Sequence, residues 1–214
     1  MTRQADRYPW PQLFCLERRS SRRAEMKRVL VLNGSLREKG NTDAIISSFT
    51  EGVNAAGMNV HVAVLRELEI HGCIGCCQCQ REQTCSHADD MTHLRDMITK
   101  SDVLVFASPN YWCEVTGLMK TFIDRLYFFH HKENNHLIAG KKAVIITTLG
   151  EKDADYENQV LIEFYKRCMH SLSIDIINWL FFADLMEKGA IKDKPAYLEQ
   201  SYEAGRALAD LSHL

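Results

Sequence analysis

Residues 28–42 read RVLVLNGSLREKGNT. Arg28 to Asn33 form a short run of β-branched residues and leucine that stops at Gly34, which suits a strand buried in a parallel sheet. Beyond Asn41 and Thr42, apolar residues fall at Ile45, Ile46, Phe49 and Val53. That is helical spacing, with Asn41 or Thr42 well placed as the cap. The turn between strand and helix carries chemistry of its own. Ser35, Asn41 and Thr42 offer hydroxyl and amide donors, Arg37 and Lys39 offer charge, and the helix start offers free N–H groups. Such a turn is a phosphate cradle or simply a polar strand-to-helix connection. It is neither a P-loop nor a GxGxxG fingerprint, because the Lys-Ser/Thr pair and the glycine spacing are both missing.

The same alternation continues along the chain. Further strands are expected at 59–65 (NVHVAVL), 102–108 (DVLVFAS), 142–148 (KAVIITT) and 174–182 (IDIINWLFF). Helices are expected between them. One is capped by Asp89 and Asp90 and carries Met91, Leu94, Met97 and Ile98. One long helix runs from Val115 through Leu118, Met119, Phe122 and Leu126 to Phe129. Another carries Val160, Leu161, Phe164, Tyr165, Cys168 and Met169, and residues 194–211 close the chain. Five strands separated by helices predict a parallel sheet covered on both faces, with right-handed crossovers.

Ligands of open α/β sheets sit beyond the carboxyl ends of the strands. Besides the first turn, two loops qualify there. In 108–125 (SPNYWCEVTGLMKTFIDR), Tyr111 and Trp112 supply flat surfaces able to flank a ring system. Lys120 and Arg125 read as helix-face charges, with Asp124 available to pair with Arg125. In 147–152 (TTLGEK), Thr147, Thr148 and Gly150 let backbone groups approach a ligand.

The bulk numbers set limits. A chain of 214 residues, 46% hydrophobic, suits one α/β domain with an added arm. A net charge of −2 gives no case for nucleic-acid binding. No apolar run reaches the roughly 18–20 residues of a membrane span. Residues 1–25 are rich in Arg and lack periodicity, so they are expected to be a flexible extension, the domain occupying 26–214. Packing of the extension through Trp10, Leu13 and Phe14 is the alternative. Arg22 and Arg23 are not followed by a separate apolar region, so an export signal is not expected.

Five of the eight cysteines fall between Cys73 and Cys85, in CIGCCQCQREQTC. Clustered thiols in a medium-sized chain read as metal-binding or catalytic rather than as a disulfide scaffold. Cys73, Cys76, Cys79 and Cys85 form a compact set of four, and Cys77 stands outside it. Four thiolates at these spacings suit an iron–sulfur cluster or tetrahedral zinc. Without metal they would be redox-labile thiols. His130, His131 and His136 are read as a solvated loop rather than a metal site. No Ser-His-Asp arrangement or paired-carboxylate motif stands out.

Taken together, GSLREKGNT and SPNYWCEVTGLMKTFIDR resemble the FMN-binding loops of the NADPH-dependent FMN reductase-like flavoproteins. The cysteine spacing, followed by Asp89, Asp90 and Met91, resembles their iron–sulfur flavoprotein branch. The resemblance covers about residues 27–185. It implies a flavodoxin-like, doubly wound, five-stranded parallel sheet of order 2-1-3-4-5, with a cysteine loop (71–90) inserted after strand 2. It implies that Ser35, Arg37, Asn41 and Thr42 hold the FMN phosphate. Pro109, Asn110, Tyr111 and Trp112 would line the isoalloxazine, and Thr148 and Gly150 would approach its other edge. Cys73, Cys76, Cys79 and Cys85 would hold a [4Fe–4S] cluster. No side chain is assigned a catalytic role, because the flavin would carry the chemistry. The expected protein is a cytoplasmic homodimer or homotetramer. It would pass electrons from NAD(P)H or ferredoxin to a small acceptor. A cluster-free FMN reductase and a flavodoxin-like carrier are the other readings.

Overall fold

In the computed structural model, which describes residues 27–213, five apolar runs become strands. They are β1 (Arg28–Asn33), β2 (Asn59–Val64), β3 (Val103–Pro109), β4 (Lys142–Thr148) and β5 (Asp175–Phe182). They form one parallel sheet in the order β2-β1-β3-β4-β5, the expected topology. The expected extension over residues 1–25 lies outside the described residues.

The sheet is buried on both sides, which is why its central strands are apolar at successive positions and not at alternate ones. On one face, Ile45, Phe49 and Val53 of α1 (Asn41–Ala55) pack with Val29, Val31 and Val105. Helix α9 (Pro195–Arg206) lies alongside α1. On the other face, α3 (Met91–Lys100), α4 (Gly117–Arg125) and α8 (Gln159–Ser171) bury Leu94, Phe122 and Tyr165 against Leu30, Leu104 and Phe106.

The long helix expected from Val115 to Phe129 is broken. Thr116 caps α4 by accepting the Met119 N–H, and α4 ends at Leu126, where the chain tightens into i→i+3 hydrogen bonds. Two short helices follow, α5 (Tyr127–His130) and α6 (Lys132–Asn135). The apolar residues keep their helical phase across the break, so periodicity does not reveal it. Within this stretch the His130 ring stacks on Tyr127 at 5.7 Å, and His131 caps α6. Other short helices among the described residues carry loops, including α2 (Gln78–Arg81), α7 (Ala154–Glu157) and 3-10 turns at Leu65–Glu67 and Ala190–Asp193.

Helices α1 and α9 cross with almost no space between them. A Cβ on Gly52 would overlap the Tyr202 carbonyl, and one on Gly205 would overlap the Phe49 carbonyl. The hydroxyls of Ser48 and Ser201 donate across the same seam, to Leu198 at 2.7 Å and Ile45 at 2.9 Å. Gly205→Ala is therefore expected to force the helices apart and to cost about 1–3 kcal/mol, the usual penalty for overpacking. Urea unfolding monitored by circular dichroism reads the loss, and an unchanged midpoint would contradict the close crossing.

Candidate functional site

Loops after β1, β3 and β4 leave the sheet at one edge and converge. The Gly34 N–H donates to Ala107 across β1 and β3, and the Asn110 N–H donates to Thr148 across β3 and β4. Buried side-chain bonds then tie the loops to one another. Thr116 Oγ1 donates to the Gly34 carbonyl at 2.7 Å, and the Thr42 and Thr148 hydroxyls share a hydrogen bond at 2.8 Å. Between the loops lies a cleft of about 540 Å³. The ten residues that the resemblance assigns to the three loops, from Ser35 to Gly150, all line it, whereas Lys39 and Thr147 do not.

One end of the cleft is an open helix start. The cap of α1 is Gly40, which has no side chain to bond the first turn, rather than Asn41 or Thr42. First-turn N–H groups have no intrahelical partner and attract anions. Ser35 Oγ accepts from the Arg37 N–H at 3.3 Å, which holds the turn compact. Thr42 is occupied by Thr148. Asn41 serves as a brace between two segments. Its side-chain amide donates to the Leu185 and Glu187 carbonyls, and its oxygen accepts from the Gly189 and Ile191 N–H groups. Arg37 donates to the Met186 carbonyl at 2.7 Å. The loop after β5 thus becomes a cleft wall, with Leu185 and Met186 as lining residues that no motif announces.

The loop after β3 holds an unusual turn. Tyr111 and Glu114 exchange backbone hydrogen bonds, and between them Trp112 and Cys113 both have left-handed φ values of 55° and 63°. Asn and Gly fit such a pair without strain, whereas other residues cost roughly 1–3 kcal/mol each. Trp112 stands 98% exposed at the tip. Cys113 lines the cleft, and its thiol donates to Glu157 Oε2 at 3.5 Å. The Glu157 carboxylate, with a smaller contribution from burial, pushes the Cys113 thiol above its ordinary value. Asn110 Nδ2 donates to the Glu157 carbonyl and to Asn158 Oδ1, so the turn is fastened to the α7–α8 junction.

The cysteine loop leaves after β2 and stands on a buried ion pair. Arg125 of α4 reaches both oxygens of Asp89, at 2.6 and 3.0 Å, with the two side chains only 3% and 1% exposed. The same guanidinium donates to the His71 carbonyl at 2.7 Å and to Cys85 Sγ at 3.2 Å. Asp124 pairs instead with Lys120, at 2.6 Å, so the expected pairing of Asp124 with Arg125 is corrected. A sequence offers adjacent charges first, and only the fold brings Asp89 to Arg125. Asp89 also accepts from the Met91 N–H at the start of α3, as expected of a cap, while Asp90 accepts from the Glu69 N–H. Burial would raise the Asp89 carboxyl, but Arg125 and the His71 and Met91 amides outweigh burial and hold it below the usual carboxylate range.

Cys73, Cys76 and Cys77 are exposed, and Cys79 and Cys85 are half-buried. The Ser86 hydroxyl, then the Gln78 backbone, draws the Cys76 thiol below its ordinary value. The donor set is that of a thiolate-bound metal centre. Among the described residues, no three Cys, His, Asp or Glu side chains are drawn together as metal ligands.

Known proteins resemble this chain in sequence and in fold. The profile of the family described as NADPH-dependent FMN reductase matches residues 27–181. An iron-sulfur flavoprotein of Archaeoglobus fulgidus is 33% identical over 138 residues, which is 64% of this chain and 62% of that protein. One from Clostridioides difficile is 30% identical over 153 residues, 68% of this chain and 66% of the relative. The chain thus spans slightly less than two thirds of the length of these curated relatives. Among solved structures, an NAD(P)H:quinone oxidoreductase from Methanothermobacter marburgensis superposes with a TM-score of 0.65 at 19% identity, covering 86% of this chain and 98% of its own. That likeness is one of fold.

Removing one partner of the buried pair strands the other. Arg125→Met is expected to cost about 3–5 kcal/mol and to open residues 71–90 to trypsin at Arg81. Since the Asp89 carboxyl is lower in the folded than in the unfolded chain, its stabilisation is full above pH of about 4 and is lost as pH falls through the folded value. The stability gap between wild type and Asp89→Asn should accordingly shrink below that pH in urea titrations, and a gap constant with pH would contradict it.

Proposed function

We propose, from the premise that the chain belongs to the NADPH-dependent FMN reductase family, that it is an FMN-dependent oxidoreductase with an iron–sulfur centre in its cysteine loop. The observation that carries this reading is the cleft into which residues of three separate loops converge at the carboxyl edge of the sheet. Two features support FMN as occupant. The uncapped start of α1 and the Arg37 guanidinium give a phosphate both N–H donors and a full charge. Pro109, Asn110, Tyr111, Trp112, Thr148 and Gly150, which line the cleft together, offer a flat ring aromatic and backbone surface.

In this reading Ser35, Arg37, Asn41 and Thr42 belong to the phosphate end. Ser35 and Thr42 shape it, Arg37 turns from the Met186 carbonyl toward the stronger anionic acceptor, and Asn41 keeps the wall of 185–191 in place. FMN supplies hydride and single-electron chemistry when bound. The protein would position the acceptor over the ring and fix the polar groups around it. Cys73, Cys76, Cys79 and Cys85 would hold a [4Fe–4S] cluster, supplying one-electron transfer, with Cys77 outside the set. The curated relatives named iron-sulfur flavoproteins support this part. NAD(P)H or ferredoxin would be the donor and a small organic molecule the acceptor. A cytoplasmic homodimer or homotetramer completes the proposal. Among the described residues no helix is long and apolar enough to cross a membrane.

Two measurements test it. Anaerobically purified protein should show flavin absorption and about four iron and four sulfide per chain. Flavin without iron, even after reconstitution, would leave a cluster-free reductase. Arg37→Ala should weaken FMN binding by roughly tenfold or more, the loss of one charge-assisted hydrogen bond. Titration by flavin fluorescence quenching reads this, and wild-type affinity in the variant would remove Arg37 from the phosphate end.

A further inference from the structure

Cys113 is a thiol inside the cleft that the flavin reading leaves without a role. Its position is strained, because its φ of 63° is a conformation that glycine adopts freely and other residues do not. Its sulfur has a defined partner in Glu157 at 3.5 Å. Both residues line the cleft, and Asn110 ties their two segments together through the Glu157 carbonyl. The turn therefore presents an S–H to the cleft with a carboxylate behind it. That is the arrangement of a proton donor with a group able to resupply it.

We propose that Cys113 is the proton donor to two-electron acceptors of the quinone class reduced in this cleft, with Glu157 as its positioning and proton-resupplying partner. The assignment rests on the reading of the cleft as a flavin site. The acceptor receives a hydride, two electrons and one hydrogen, from anionic reduced flavin. The Cys113 S–H bond breaks, and its proton forms an O–H bond on the acceptor oxygen. The products are oxidised flavin, hydroquinone and Cys113 thiolate, and the thiolate takes a proton from solvent through Glu157. The raised thiol fits, because it stays protonated at neutral pH. Other ionisable groups facing the cleft are Arg37 after β1, Glu151 after β4 and Tyr111 of the turn itself. The carboxylate of the next residue, Glu114, accepts from the Val115 N–H.

Two acceptors separate proton delivery from electron delivery. Menadione takes a hydride and a proton, whereas ferricyanide takes an electron and no proton. Reoxidation of FMN-loaded, prereduced protein is followed by stopped flow, with Cys113→Gly, which removes the backbone strain, and Cys113→Ser as variants. The ratio of the menadione rate to the ferricyanide rate is expected to fall by roughly a hundredfold in the Gly variant, the usual scale of general acid catalysis. It should also become pH-dependent in Glu157→Gln at a pH where the wild-type ratio is flat. An unchanged ratio in both Cys113 variants would overturn the assignment.

A second readout needs no flavin. Iodoacetamide labelling of Cys113 in the apoprotein, followed by peptide mass spectrometry against pH, should shift to lower pH in Glu157→Gln, since the carboxylate no longer opposes ionisation. An identical labelling curve would remove the pair. Should FMN not bind at all, the reading of the cleft falls, and this assignment falls with it.

Discussion

Everything in this molecule depends on one topological constraint. The chain leaves β1 toward β2 by a helix on one face of the sheet, and leaves β3 toward β4 by a helix on the other. Right-handed crossovers allow no other placement. The helices that follow β1 and β3 therefore turn to opposite faces, and a crevice opens at the carboxyl edge between the loops that lead into them. Backbone geometry creates that crevice, and side chains set its width. Thr116 bonds the first loop to the second, the Thr42–Thr148 pair bonds helix α1 to β4, and Asn41 bonds the start of α1 to the loop after β5. Each of these groups is buried, and each has its hydrogen bonds satisfied by another loop. A buried unsatisfied polar group costs about 1–3 kcal/mol, so these bonds hold the rim in register.

The cysteine loop is organised on a different principle. It has almost no apolar core of its own, and the buried Asp89–Arg125 pair fixes its base. The guanidinium bridges the end of α4, the entry of the loop at His71, its exit at Asp89 and the sulfur of Cys85. Gln80 adds a bond to the Tyr127 carbonyl at 2.8 Å, and Gln83 bonds to Glu133. The base is thus fixed while the thiols at the tip stay open to solvent.

The loops after β1 and β3 prepare the cleft in different ways. At the α1 end the turn of 33–42 also holds a left-handed residue, Lys39 with φ of 52°, and the first turn of α1 has no side-chain cap. At the aromatic end the Trp112–Cys113 pair is held in a left-handed turn by the hydrogen bonds of Tyr111 and Glu114 and by the Asn110 clamp. The strain of that turn is offset by the surrounding fold, and it directs the indole outward and the thiol inward.

Much of this was legible in the chain itself. The apolar runs beginning at Arg28, Val103 and Lys142 have the continuous hydrophobicity that a doubly covered sheet requires, so the strands could be read from them, while their order was implied by the family resemblance. The turns of 33–42 and 108–125 were readable as cleft-lining loops because polar and aromatic residues stand close together there in sequence. The break at Leu126 was hidden because its apolar phase continues unchanged. Sequence determined local conformation and the residue types offered at each loop, since both depend on neighbours a few positions away. Tertiary structure alone decided that Asp89 meets Arg125, that Asn41 holds the loop after β5, and that Cys113 faces Glu157. Those partners are separated by 36, more than 140, and 44 positions, and no local pattern encodes contacts made only when the sheet brings distant loops to one edge.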